Sequence, residues 1–330
     1  MGGAGWARLG QVKQYSKNHW VTGTIWANAQ QIGVRSWDNH NHLDCPVVVM
    51  QRYMDVGMAG IVRRAQGTGQ IVINDVDDWF WGIHKNNAAY NAVAPLVNVR
   101  SNTSHYRETL LASNVVTVST QFLACEIAKF GDVRVEVIPN GVDARRYEQR
   151  RHRKATPIIG WAGSTGHRSG DLTVLQKPFA EIRDEFRFHH TGANDRYPTF
   201  AEEVGLAEKQ VTTLPMLPPH EYPYGMVFDI GVVPLVDIPF NHAKSNIKGL
   251  EYAAAGVPFV ASPLPEYVEL SEQHHIGRLA KTSRDWIREL RALGDYETRL
   301  EEAVRQREAV LALSAKQQAR LWDELIWSLA

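Results

Sequence analysis

Cysteine is almost missing from this 330-residue sequence, which holds only Cys45 and Cys125. Two cysteines cannot build a disulfide framework and neither belongs to a CxxC pair, so a cystine-stapled secreted scaffold is excluded. Both read as small buried or half-buried thiols in a reducing compartment. An excess of charge is missing too: 36 Lys and Arg balance 36 Asp and Glu, and the formal net charge is zero. A duplex-DNA binder draws its affinity from a basic surplus that this chain does not carry. No apolar run reaches the roughly 18 residues needed to span a bilayer. The opening MGGAGWARLGQVKQYSKNHW has no apolar stretch of the kind that directs secretion, so the expectation is a cytoplasmic protein without stable membrane insertion. A G-x-S-x-G elbow and a P-loop are likewise lacking, which leaves hydrolase and kinase readings without support. Gly160, Gly163 and Gly166 are spaced G-x-x-G-x-x-G rather than GxGxxG, so a dinucleotide fingerprint is missing as well.

What the sequence does hold is an αβ pattern repeated twice. Its length suits two domains of about 150 residues each. In the first half, short β-rich runs at 47–51, 70–74, 115–119 and 133–138 alternate with helical patterns, and Ser119 and Thr120 stand where they would cap a helix starting near Gln121. The turn residues Pro139-Asn140-Gly141-Val142-Asp143 then lead into ARRYEQRRHRKATP, charged and poor in apolar residues, which reads as an interdomain linker. A second series follows, with strands expected at 157–161, 186–191, 211–214, 230–234 and 258–261 and a helix over 247–255. From Thr282 onward the pattern is helical almost throughout. It ends in QQARLWDELIWSLA, whose Leu321, Leu325 and Leu329 share a face suited to packing on the protein's own domains. Apolar strands separated by helices imply mostly parallel sheets covered on both faces. Two such domains leave a cleft between their strand ends, where ligands of open αβ sheets bind. The expected division is an N-terminal domain over residues 1–148, a C-terminal nucleotide-binding domain over 149–310, and a helix over 311–330 returning to the first domain.

The most informative stretch is FDIGVVPLVDIPFNHAKSNIKGLEYAAAGVPFVASPLPEY, residues 228–267. It reads as a buried strand, a loop, a helix stopped at Gly256 before Pro258, and a second buried strand. Lys244 and Lys248 bracket the start of that helix, where unpaired backbone N–H groups already favour an anion. Glu251, one turn on, is poorly placed for phosphate but well suited to accept two hydrogen bonds from a ribose diol. Cations with a helix terminus for a pyrophosphate, and a carboxylate for sugar hydroxyls, make a nucleotide-diphosphate site. A solvated charged turn before a core helix accounts for the same spacing equally well.

Lys244-Ser245-Asn246-Ile247-Lys248-Gly249-Leu250-Glu251-Tyr252, continuing to Gly256-Val257-Pro258, resembles the donor-site signature of GT-B glycosyltransferases of family 4, the glycosyl transferases group 1. Ile138-Pro139-Asn140-Gly141-Val142-Asp143, the stretch from Ile159 to His167, the acidic run Asp75 to Asp78 and Val118-Ser119-Thr120 resemble further landmarks of that family, in the same order. The resemblance implies two doubly wound Rossmann-like domains facing across a cleft, and retaining, metal-independent transfer of a sugar from a UDP- or GDP-linked donor to an acceptor hydroxyl. Lys244, Lys248 and Arg168, the last beside the glycine turn, with His84 near the reaction centre, are the candidates for catalysis. Gly163, Ser164, His167, Ser245, Asn246, Ile247 and Glu251 would hold the donor, while Gly5, Arg8, Asp77 and Asp78 would line the acceptor side. No cofactor or metal is expected. The acceptor stays open among a protein, a glycan, a lipid-linked sugar and a modified nucleobase. One departure stands out: the family commonly pairs two glutamates eight residues apart, and the first would fall at Ala243. Two alternatives therefore stay open, a nucleotide-sugar epimerase of the same architecture and a catalytically degenerate GT-B binding module.

Other clusters are weaker. His40, His42, Asp44 and Cys45 lack a second cluster at zinc-ligand spacing. Trp79, Phe80 and Trp81 suit either sugar stacking or a core.

Overall fold

The computed structural model describes residues 5–167 and 170–329. Each of the nine strands expected from the sequence meets an observed one, within two residues at either end. Among the described residues thirteen strands run in chain order as β1 (Gly23–Ala27), β2 (Ile32–Ser36), β3 (Asn41–His42), β4 (Val47–Gln51), β5 (Ile71–Val76), β6 (Val115–Val118), β7 (Val135–Val137), β8 (Ile158–Ala162), β9 (Arg187–Ala193), β10 (Val211–Pro215), β11 (Ile230–Val233), β12 (Phe259–Ala261) and β13 (Arg278–Leu279). The antiparallel sheet β1-β2-β3 and the short β13 were not anticipated.

The C-terminal sheet is parallel throughout, in the order β10-β9-β8-β11-β12-β13. Strand order reverses between β8 and β11, so helices leave toward opposite faces and a crevice opens at the strand ends there. Alternation along each strand feeds two cores. Ile159, Trp161, Ile230, Val232 and Val260 face one way, toward Phe179, Trp286 and Leu290. Ala162, Val233, Phe259 and Ala261 face the other, toward Leu250, Tyr252 and Leu270.

The N-terminal sheet runs β4-β5-β6-β7, also parallel, with no reversal. Crossovers of one hand then place all the connecting helices on one face. Val48, Met50 and Val72 pack on the helix Met58–Gly67, and Val76, Val116 and Val118 pack on Tyr106, Leu110, Leu123 and Ile127. The opposite face would be left in water. It is covered by the C-terminal helix Ala315–Leu329, whose Ala319, Trp322 and Leu325 meet Ile73 and Val115, joined by Val12 from the N-terminal segment. Asp323 secures that lid by accepting hydrogen bonds from the backbone N–H of Lys17 and the amide of Asn18, each at 2.8 Å. No helix among the described residues is long and apolar enough to cross a membrane.

Two local expectations are refined. Thr120 caps the helix Gln121–Ala128, accepting from the N–H of Leu123 at 3.3 Å. Its hydroxyl also donates to the carbonyl of Ala243 on the other domain at 3.3 Å. Thr120→Val keeps the shape and removes both bonds, so a loss of about 1 kcal/mol in chemical denaturation is expected. An unchanged midpoint would show that neither bond matters. The charged segment after Asp143 is not a free linker: Arg150 pairs with Asp229 at 3.0 Å, His152 bonds the Gly256 carbonyl at 2.8 Å, and Tyr147 is buried. Cys125 is exposed rather than half-buried.

Candidate active site

A cleft of about 820 Å³ lies between the two parallel sheets, lined from both sides. Its floor is the reversal point of the C-terminal sheet. Gly163 follows β8 with φ 154°, and Gly192 in β9 has φ 119°. A side chain on Gly192 would meet the Gly163 carbonyl at 2.4 Å, so glycine is what lets the two strand ends approach. The Gly163 N–H donates to Thr191 at 2.8 Å, and His190 bonds the Gly163 carbonyl at 2.9 Å. Ser164, beside them, accepts from the N–H of Gly166 at 3.3 Å.

Above this floor stands the helix Ile247–Ala254, which ends at Gly256 in the left-handed region (φ 67°) as the sequence required. Asn246 at its start makes no side-chain cap, which leaves first-turn N–H groups open to an anion. Lys248 bonds the Ala162 carbonyl at the end of β8, with its ammonium 5.6 Å from the Trp161 ring. Glu251 accepts from the Tyr147 hydroxyl at 3.3 Å. Burial pushes the Glu251 carboxyl above its ordinary range, against the pull of Lys248. Burial also drives the Tyr147 and Tyr222 hydroxyls well up, so both stay protonated donors toward Glu251.

The opposite wall comes from the N-terminal domain. Lys244 spans the gap, its ammonium 3.6 Å from Asp78. Asn140 donates to the Ser245 hydroxyl at 2.7 Å and so ties the Pro139-Asn140-Gly141 turn to the donor loop. Gly141 is required where it stands, because a Cβ there would meet the Ser314 carbonyl at 2.4 Å.

Most of the residues expected at the site come together. Gly163, Ser164, Lys244, Ser245, Ile247, Lys248 and Glu251 line the cleft with Arg8, Asp77 and Asp78. Others do not. His84 is exposed in a loop, its ring accepting from the N–H of Asn86, and does not line the cleft, so its place at the reaction centre is withdrawn. Asn246 points its amide at the Glu266 carbonyl, 3.4 Å away, rather than inward. Gly5 precedes the short helical turn Trp6–Gly10, and its neighbours Trp6, Ala7 and Arg8 line the cleft in its stead. Arg168 and the side chain of His167 lie outside the described residues.

Arg8 and the acidic run also need correction. Arg8 is fully buried and grips Asp75, with 2.6 Å between Nη2 and Oδ1. Asp75 additionally accepts from Thr117 at 2.8 Å and Gln51 at 3.0 Å. Asp75 is thus an anchor inside the N-terminal domain that does not line the cleft, and Arg8 borders the cleft with its guanidinium committed to that anchor. Asp77 is held by Arg52, Nε to Oδ1 at 3.0 Å. Burial raises its carboxyl despite that partner. Trp79 and Trp81 pack together at 5.1 Å, and Trp81 stacks on Tyr106 at 5.6 Å, so this aromatic run fills a core.

Residues not foreseen include Arg146 and Tyr147 from the supposed linker, Trp6, Tyr222 and the loop Met216 to Pro219 after β10. Arg146 lies over the Trp6 ring at 4.5 Å. A tyrosine alone in a charged stretch was the available signal for Tyr147.

The fold is similar to sucrose-phosphate synthase from Thermosynechococcus elongatus (TM-score 0.61, 16% identity, 86% of this chain and 73% of that one). It is also similar to HepE from Anabaena, solved with UDP and glucose (TM-score 0.60, 14% identity, 82% and 75%), and to a glycosyltransferase from Rickettsia africae (TM-score 0.60, 13% identity, 85% and 76%). None of the curated proteins matches the sequence. Residues 156–295 match the family described as glycosyl transferases group 1, and that stretch contains β8 to β13, the helix Ile247–Ala254 and the lysines beside it. The chain therefore has the GT-B fold, and its residues 156–295 are similar to the glycosyl transferases group 1 domain.

Proposed function

We propose that the protein transfers a sugar, with retention of configuration, from a UDP- or GDP-linked donor to an acceptor hydroxyl, using lysines rather than a metal ion to meet the charge of the departing diphosphate. One observation carries this: Lys244, Lys248 and Glu251 line a single cleft at the reversal point of the C-terminal sheet, next to an uncapped helix start. Diphosphate oxygens would lie between the two ammonium groups and the first-turn N–H groups, where preorganised positive charge lowers the barrier to leaving-group departure. Glu251 would accept from the ribose diol, braced by Tyr147. HepE, of the same fold, is solved with UDP and glucose, and uridine donors are the first to try.

The cleft's carboxylates support a mechanism without an enzymic nucleophile. Asp77 is held by Arg52, Asp78 stands between Arg52 and Lys244, and Glu251 is bonded by tyrosine. Attack by the acceptor on the face the diphosphate leaves, with a phosphate oxygen taking the hydroxyl proton, needs none of them. The opposed domain walls would exclude water and limit donor hydrolysis. The acceptor is proposed to enter from the side of Asp77 and Asp78.

A thermal-shift panel of UDP- and GDP-sugars tests the reading. Wild type should gain several degrees with its donor and Lys244→Ala should gain little, because a ligand that binds only the folded state raises the midpoint. No shift of the wild type with any nucleotide sugar would refute it.

A further inference from the structure

Lys244 is a donor-side cation whose carboxylate partner sits on the other domain. Its ammonium is 3.6 Å from Asp78 and 4.4 Å above the Phe240 ring. Asp78 follows β5 of the N-terminal sheet, and Lys244 precedes the helix Ile247–Ala254. The ion pair therefore crosses the cleft where the diphosphate is to lie. The grip is loose beside the Arg52 to Asp77 bond at 3.0 Å. Asp78 also has a second cation, with Arg52 3.5 Å away. If Lys244 left, the Asp78 carboxylate would not be stranded.

A diphosphate carries at least two negative charges, so at equal distance it attracts an ammonium group more strongly than one carboxylate does. Lysine's flexible stem lets the ammonium swing between them. We propose that Asp78 holds Lys244 across the empty cleft and yields it to the diphosphate when the donor binds, making Asp78 a positioning residue that sets donor affinity from the acceptor side. The proposal rests on the nucleotide-sugar reading of this cleft.

Calorimetric binding of UDP, and of GDP should UDP fail, to wild type, Asp78→Asn, Lys244→Met and the double variant tests it. Removing the competitor should tighten nucleotide binding about threefold to tenfold in Asp78→Asn, the scale of a partly buried ion pair. With Lys244→Met already present, the same change should move affinity by less than about twofold. Asp78→Ala serves as a second variant with the same expectation. Equal tightening with and without Lys244 would mean plain repulsion between Asp78 and the phosphates and would overturn the exchange. Unchanged or weaker binding by Asp78→Asn would overturn it too. Failure of all four proteins to bind either nucleotide would instead sink the nucleotide-sugar reading, and the exchange with it.

Discussion

Lys248→Met should lower sugar turnover by about 10²–10³ while leaving the protein folded, the scale seen when one preorganised charge-stabilising donor is removed. The lysine sits in the first turn of the helix Ile247–Ala254, with its ammonium at the last carbonyl of β8, beside Gly163. Backbone on both sides fixes that position, so the charge needs little reorganisation when the sugar–phosphate bond stretches. Negative charge grows on the diphosphate only as the bond breaks. The loss should therefore appear mainly in kcat, with a smaller rise in KM for the donor. A purely structural role predicts otherwise. Lys248 would then only tie its helix to β8, and the methionine variant would melt lower but turn over normally at temperatures where it is folded. Steady-state rates alongside a melting curve separate the two. Turnover within about threefold of wild type would contradict the electrostatic role, since losing one such contact costs far more.

The donor half of the site was legible because its chemistry is local. Lys244, Lys248, Glu251 and Gly256 fall within one loop and one helix, and helical spacing places them without knowledge of anything distant. The acceptor half was not. In Asp75-Val76-Asp77-Asp78, strand alternation turns Asp75 toward the buried face with Ile71 and Ile73, and only the three-dimensional arrangement shows Arg8 waiting there. Charge alone cannot separate an anchor from a ligand group. The supposed linker failed for a related reason: Tyr147 is the single aromatic in a charged stretch, and it is buried among distant core residues with its hydroxyl bonded to Glu251, 104 residues away. The β1-β2 hairpin turns through Asn28 to Gln31, where Asn28 accepts from Gln30 and Gln31, without the Asn-Gly signal that marks short hairpins. The N-terminal sheet's missing reversal could not be read either, because strand order is set by pairing between segments far apart in the chain.

Arg8→Met should destabilise the protein by about 3–5 kcal/mol, the usual cost of leaving one member of a buried ion pair without its partner. Neither Arg8 nor Asp75 is accessible to water. The guanidinium donates from Nε and Nη2 to the Asp75 carboxylate, while Nη1 reaches the Ile138 carbonyl and, at 3.2 Å, Asn140. Methionine fills much of the same volume, so the loss would come from the stranded carboxylate and the orphaned carbonyl rather than from a cavity. Adding Asp75→Asn should recover part of it, because the amide carries no charge yet its oxygen still accepts from Thr117. Denaturation of the single and double variants tests this, and a single variant within about 0.5 kcal/mol of wild type, the range of ordinary surface changes, would contradict it. Function should suffer as well as stability. Asn140 hands the connection on to Ser245 at 2.7 Å, so one chain of hydrogen bonds runs from the N-terminal segment to the donor loop. Loosening it at Arg8 should weaken donor binding in molecules that remain folded, although no atom of the nucleotide sugar need touch that arginine.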